Sequence, residues 1–184
     1  MARIYMHING YSGAGKTTLG QKLKLIFKNK IVITDLDDLL PNCDMNLSSS
    51  EEKIYMEHSI NQYLSTVGNQ IVILIGTACN ETNIESYPAI NAEHLIWYDV
   101  SLDEATKRAL NRQIDWITNN REKFINKTKN MSLKESQDYL MHYYNYHQRI
   151  IDWAPLYEIC EKLNYKKTSE DLIISSIHKK LAGL

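Results

Sequence analysis

The stretch Gly10-Tyr11-Ser12-Gly13-Ala14-Gly15-Lys16-Thr17 constrains this chain more than any other. It fits the pattern G-x-x-x-x-G-K-[ST], and each position has a physical reason. Glycines let the backbone wrap closely around a phosphate. The loop's N–H groups then point inward, at the start of a helix whose dipole favours anions. A lysine at position 16 can reach the outer phosphates of a nucleotide, and a threonine at 17 can set its hydroxyl on a divalent cation. The mechanism requires a strand before the loop and a helix after it. Arg3 to Asn9 is a short, mostly apolar run, and Leu19, Leu23, Ile26 and Phe27 then repeat at helical spacing.

The same alternation continues along the chain. Ile31 to Thr34 reads as a second strand. Ser48 to Ser50, followed by Glu51 and Glu52, opens a helix that runs to about Val67. Gln70 to Ile75 has the continuous apolar character of a strand buried on both faces. Leu95 to Val100 is a fourth strand, and Ser101 caps a helix from Leu102 to about Ile117. Asn119 to Asn130 is polar and lysine-rich. Ser132 with Glu135 forms a capping box for a helix reaching Ile151, which Pro155 breaks. Ile159 to Tyr165 is the expected fifth strand, and Glu170 to Leu181 a closing amphipathic helix. Strands alternating with helices, with neither repeat nor linker, predict a single α/β domain over residues 1–184 with a parallel sheet.

Asp35 and Asp37 follow the second strand directly, at the sheet edge where ligands of open α/β sheets bind. Phosphoryl transfer to a hydroxyl needs a group that orients or deprotonates the acceptor, and carboxylates that hold Mg²⁺. The pair Asp35 and Asp37 can supply both. Asp38 is read as a cap or surface residue. Arg108 and Arg112 lie four apart and share a helix face. Cations on a segment that can close suit the charge that spreads over a transferring phosphoryl group. Arg121 and Arg149 are further candidates of this kind, and Tyr11 is a candidate contact to the acceptor or to the closing segment.

Composition narrows the remainder. The net charge of −1 argues against a nucleic-acid or membrane partner. Cys43, Cys79 and Cys160 form no C-x-x-C pair, so neither a zinc site nor a disulfide framework is expected. No stretch reaches the ~18 apolar residues of a membrane span, and the N-terminal apolar run is too short for a signal peptide. A cytoplasmic protein is expected. His142 and His147 are poorly spaced for a metal. Tyr139, Tyr143, Tyr146 and Ile150 read as a packing stripe, and Trp97, Trp116 and Trp153 as structural.

The chain resembles the nucleoside-monophosphate-kinase and shikimate-kinase branch of P-loop kinases. The resemblance rests on the loop, on Ile33-Thr34-Asp35-Leu36-Asp37, on Val72-Ile73-Leu74-Ile75-Gly76-Thr77-Ala78, on Asp99 to Ala105 with Arg108, on the Arg108-x-x-x-Arg112 spacing, and on Arg149 ahead of Pro155-Leu156-Tyr157. It implies a three-layer P-loop NTPase fold, with a five-stranded parallel sheet of order 2-3-1-4-5 and flanking helices. It also implies an acceptor-binding helical segment about 38–68 and a lid about 112–132. ATP and Mg²⁺ are the implied cofactors, with Gly10, Ser12, Gly13, Ala14, Gly15, Lys16, Thr17 and Thr18 around the phosphates. In adenylate kinases the first arginine of the pair packs on the adenine and the second reaches phosphate, the roles implied for Arg108 and Arg112. In shikimate and gluconate kinases the first aspartate of the Asp-x-Asp sits near Mg²⁺ and the second touches the acceptor hydroxyl, the roles implied for Asp35, with Thr17 on the metal, and for Asp37; Lys16, Asp37 and Arg112 become the expected catalytic residues.

The implied function is an ATP-dependent kinase acting on a small-molecule acceptor, in a monomer or homodimer. The alternatives are a polynucleotide 5′-hydroxyl kinase and a non-catalytic nucleotide-binding regulatory protein. Both families of the branch grip an anionic acceptor with an arginine between strands two and three. This chain has no arginine from residue 4 to residue 107, and Lys53 is the sole cation of its acceptor helix. The acceptor is therefore expected to be less anionic, or to be held by Lys53 and lid residues.

Overall fold

Alternation along the strands decides how the sheet is covered. The structure, a computed structural model, describes residues 3–39, 49–68, 71–77, 90–119, 121–139 and 155–183. Strand β1 (Arg3–Asn9) runs into the glycine loop, and helix α1 (Lys16–Phe27) follows. After a short 3-10 turn come β2 (Ile31–Asp35), the one-turn helix α2 (Leu36–Leu39), α3 (Ser49–Thr66) and β3 (Ile71–Ile75). Then follow β4 (His94–Tyr98), α4 (Leu102–Asn119), α5 (Arg121–Thr128) and the described part of α6 (133–139). Helix α7 (Leu156–Lys162), β5 (Lys166–Thr168) and α8 (Glu170–Ala182) complete the order. All strand pairs are parallel, in the order β2-β3-β1-β4-β5, as the resemblance implies.

Successive side chains of a strand point to opposite faces, and β3 shows the consequence. Ile71, Ile73 and Ile75 pack with Leu19, Leu23 and Phe27 of α1 and with Ile173 and Ile177 of α8. Val72 and Leu74 pack with Met56 and Ile60 of α3, Ala105 of α4, and Leu156, Ile159 and Cys160 of α7. The result is three layers, helices on both faces of one sheet. Strand β1 obeys the same rule with one difference. Met6 and Ile8 face the α1 layer, while His7 and Asn9 are the buried polar side chains on the described part of the chain.

The helix starts read from the sequence are present. The Ser101 hydroxyl accepts from the Glu104 N–H at 3.2 Å. The Ser132–Glu135 box closes both ways, at 2.7 and 3.3 Å. The polar segment after Asn119 forms a helix, α5, and residues 112–132 fall largely on the second half of α4 and on α5. The fifth strand is not Ile159–Tyr165. Leu156, Ile159 and Cys160 are spaced for one helix face, and Pro155 suits a helix start, so α7 takes that stretch. The actual β5 has exposed lysines at its first two positions and carries no apolar run that could announce it. Strand β4 also ends two residues earlier than expected, at Tyr98. Among the described residues, no helix is long and apolar enough to cross a membrane.

Candidate functional site

Because every strand is parallel, the C-terminal ends of β2, β1 and β3 open on one edge. Asp35 stands in register with Ile75, and Ile75 with Ile8. The glycine loop leaves β1 at this edge. Its turn is closed by the Ala14 N–H donating to the Tyr11 carbonyl at 3.1 Å, and α1 begins as the Leu19 N–H donates to the Gly15 carbonyl at 2.9 Å. Gly13 is required twice over. Its φ is +84°, and a Cβ there would lie 2.2 Å from the Ala105 carbonyl oxygen of α4. The loop thus rests directly on a helix backbone that leaves no space for a side chain.

Lys16 curls back across the loop and donates to the carbonyls of Gly10 and Tyr11, at 2.7 and 3.0 Å. Burial holds its ammonium down to about 8. Attraction from Asp35 and then Asp37 works against that shift, and Arg112 adds to it. The exposed Thr17 hydroxyl donates to the Asp35 carboxylate at 3.2 Å. A hydroxyl beside a carboxylate, next to a phosphate-shaped loop, is a hard-oxygen donor set that fits Mg²⁺. That ion is commonly held by one or two carboxylates with substrate phosphates completing its shell. Among the described residues no three acidic, histidine or cysteine side chains converge on a metal. The pair of Thr17 and Asp35 would supply only part of a shell. Thr18 is exposed in the first turn of α1.

The other oxygen of Asp35 accepts from the Asp37 N–H at 3.2 Å, a turn that fixes the two carboxyl groups relative to each other. Partial desolvation pushes the Asp37 carboxyl above the usual range, the neighbouring Asp35 adds to this, and Lys16 opposes it. A carboxylate raised in this way is a stronger base. Asp38 is exposed, as expected.

The arginine pair also arrives at the loop. Arg112 reaches the Ser12 hydroxyl at 3.5 Å. Arg108 donates to the Ala14 carbonyl at 3.4 Å and pairs with Glu104 at 2.8 Å. Both side chains therefore lie over the phosphate loop. Tyr11 is corrected: it is buried and meets Trp97 edge-on at 4.8 Å, so it serves the core beneath the loop and not an acceptor or a lid. Lys127 of α5 sits over the Tyr139 ring at 5.0 Å, which ties α5 to α6. Arg121 opens α5. Cys43, Cys79, His142, Tyr143, Tyr146, His147, Arg149, Ile150 and Trp153 lie outside the described residues.

A buried polar relay under the loop is not visible in the sequence. His7 donates from Nε2 to the Gly76 carbonyl at 3.2 Å, and its Nδ1 accepts from the Tyr165 hydroxyl at 2.5 Å. Burial holds the His7 imidazole down to about 3; the Gly76 bond opposes this and the Lys16 charge adds to it, so the ring is neutral. Gly76 has φ +130°, and a Cβ there would lie 3.1 Å from Asp35 Oδ1. His7 thus fixes the peptide against which the Asp35 carboxylate packs. Asn9 accepts from the Gly10 N–H at 2.7 Å and donates to Cys160 Sγ at 3.3 Å, anchoring the first residue of the loop. The Thr77 hydroxyl donates to the Gly10 carbonyl at 3.3 Å. The signal the sequence does carry is a polar residue at alternate positions of an otherwise apolar strand.

No protein-family model matches the sequence. No curated protein matches it. Among solved structures, a shikimate kinase from Bacteroides thetaiotaomicron is similar, with a TM-score of 0.42 and 18% sequence identity over 98% of this chain and 99% of that one.

Proposed function

We propose that this chain is an ATP-dependent kinase that moves the γ-phosphate to a hydroxyl of a small molecule. The observation that carries the reading is the contact of Thr17 with Asp35 beside a loop spanned by Lys16. Phosphate cradle, metal ligands and a candidate base meet there at one strand edge. The backbone of Gly10 to Thr18 would hold the nucleotide phosphates, with Lys16 neutralising their charge. Thr17 and Asp35 would hold Mg²⁺, which when bound supplies charge neutralisation to the phosphates.

Asp37 would orient the acceptor hydroxyl and take its proton. The hydroxyl oxygen forms a new bond to the γ-phosphorus, the bond from that phosphorus to the bridging oxygen breaks, and ADP leaves with that oxygen. Arg112, over Ser12, would stabilise the charge spread on the transferring group, and Arg108 would lie along the nucleotide.

The test is a coupled ADP-release assay over a panel of alcohols, run beside a nucleotide-binding titration. Lys16→Ala is expected to lower turnover by roughly 10²–10³, as loss of one preorganised donor does. Asp37→Asn is expected to leave ATP affinity unchanged and to lower turnover by roughly 10²–10⁴. An Asp37→Asn enzyme as fast as the parent would remove Asp37 from the mechanism. ATP binding without acceptor-dependent turnover would favour a regulatory nucleotide-binding protein.

A further inference from the structure

Lys16 holds two carbonyls of its own loop, and each of them has a second donor. The Tyr11 carbonyl also accepts from the Ala14 N–H at 3.1 Å. The Gly10 carbonyl also accepts from the Thr77 hydroxyl at 3.3 Å. The two second donors differ in origin. The Ala14 N–H is backbone and comes with the turn. The Thr77 hydroxyl belongs to a side chain 67 positions away, so the residue type there decides whether the donor exists. Its place is set independently of the loop. The Gly76 N–H donates to the Ile8 carbonyl at 3.2 Å, and the Gly76 carbonyl accepts from His7 at 3.2 Å. The residue ahead of Thr77 is thus held at both ends by β1. Gly10 is buried, and its N–H is bound to the Asn9 side chain.

We infer that Thr77 is a positioning residue for Lys16: the two share the Gly10 carbonyl, and Thr77 keeps it satisfied when the ammonium turns to phosphate. This inference rests on the kinase reading above. To bind the outer phosphates of a nucleotide, Lys16 has to turn from these carbonyls. Each carbonyl then loses a charge-assisted bond. A buried carbonyl left with no donor is penalised by more than a bond normally contributes. Ala14 covers the Tyr11 carbonyl and Thr77 covers that of Gly10. The distances fit this division. Lys16 stands 2.7 Å from the Gly10 oxygen and the Thr77 hydroxyl 3.3 Å. The second is longer than the usual O–H···O bond of about 2.8 Å, so the hydroxyl can draw nearer when the stronger donor leaves. Thr77 thereby lowers the cost of moving Lys16, acting through Gly10.

The experiment is a double-mutant cycle on the full chain. Thr77→Val keeps the shape and removes the hydroxyl; Lys16→Met keeps an unbranched stem and removes the charge. Thermal unfolding is measured without nucleotide, and affinity with a fluorescent ATP analogue. With Lys16 in place, Thr77→Val is expected to move the melting temperature by no more than about 1–2 °C, because the ammonium still covers Gly10. It is expected to weaken ATP binding about tenfold, because the carbonyl loses its remaining donor when Lys16 turns. In Lys16→Met the pattern reverses. There Thr77→Val is expected to lower the melting temperature by roughly 4–8 °C and to leave the remaining ATP affinity within about twofold. Thr77→Ser keeps the hydroxyl and should follow the parent in every measurement. A purely structural Thr77 would cost the same stability in both backgrounds. A Thr77 that touches the nucleotide directly would cost the same affinity in both. Either result would overturn the inference. If the parent binds no ATP, the kinase reading falls and the exchange with it, while the melting temperatures still decide whether Thr77 and Lys16 share the carbonyl.

Discussion

The phosphate-loop side of the site and the β2–α3 side are built on different plans. The loop side is made mostly of backbone. Carbonyls of Gly10 and Tyr11 hold Lys16, the Ala14 carbonyl meets Arg108, and Gly13 lies against the Ala105 peptide. The β2–α3 side is made of carboxyl groups, Asp35 and Asp37 with Asp38 beside them. A backbone-built surface tolerates little change, because a peptide cannot move away as a side chain can. A surface of exposed acids is more easily altered. The first plan suits a ligand that never varies, the second a ligand that sets specificity.

That contrast breaks most sharply at Gly13. A Cβ there would overlap the Ala105 carbonyl oxygen, and the left-handed φ costs an L-residue a further ~1–2 kcal/mol. Gly13→Ala is expected to weaken ATP binding by about a hundredfold or more, equivalent to ~3 kcal/mol, while most of the melting temperature is kept. Lys53→Ala, on the opposite side, is expected to leave ATP affinity within about twofold, an effect of ~0.4 kcal/mol. Equal losses in the two variants, measured by nucleotide titration, would erase the distinction between the sides.

The same division separates what is legible in the amino-acid order from what is not. The loop motif and the Asp35–Asp37 pair are legible, because spacing dictates backbone geometry and because parallel strands bring their C-terminal ends to one edge; the strand order follows from the family resemblance and not from spacing. The helical α7 is not. Ile159, Cys160 and Tyr165 look like a strand until Leu156 is seen burying the same face. The role of His7 is illegible for a different reason. Its partners, Gly76 and Tyr165, lie 69 and 158 positions away, and nothing local pairs them. Tyr11 misleads because its place inside the loop says nothing of Trp97, against which its ring packs in the core.

His7 lies beneath the β2–α3 side, bonded to Gly76, and it can be tested without any ligand. Its folded value of about 3 lies below the ordinary 6.5. The unfolded chain therefore binds the proton more readily, and stability present above pH 6.5 is lost as pH falls toward 3. The slope is at most about 1.4 kcal/mol per pH unit, or ~2 kcal/mol between about pH 6.5 and about pH 5. Urea unfolding at those two values should show this loss in the parent. His7→Gln, which keeps a donor for Gly76 but does not titrate, should show a loss smaller by that amount. Identical pH dependence in the two proteins would mean that the ring is not held neutral. If His7 also fixes Asp35 through Gly76, His7→Phe should weaken Mn²⁺ binding to the ATP-bound protein, read by electron paramagnetic resonance, and His7→Gln should recover part of it.

The smallest expected effect tests whether the two sides depend on each other. Lys16 belongs to the phosphate loop, yet the charges that keep its ammonium protonated are Asp35 and Asp37 on the β2–α3 side. Burial works the other way and wins, leaving the group at about 8. Binding of an anion requires the protonated form. ATP affinity should therefore be flat below about pH 8 and weaken above it, approaching tenfold per unit, about 1.4 kcal/mol. Lys16→Arg keeps its charge throughout this range, so its profile should be flat even if its affinity is lower. Asp37→Asn removes an attraction that raises Lys16, so the break should move to lower pH. A break that stays in place in Asp37→Asn would show that the two sides are electrostatically independent. A shift would show that the carboxylates of the β2–α3 side also sustain the charge on Lys16 in the loop.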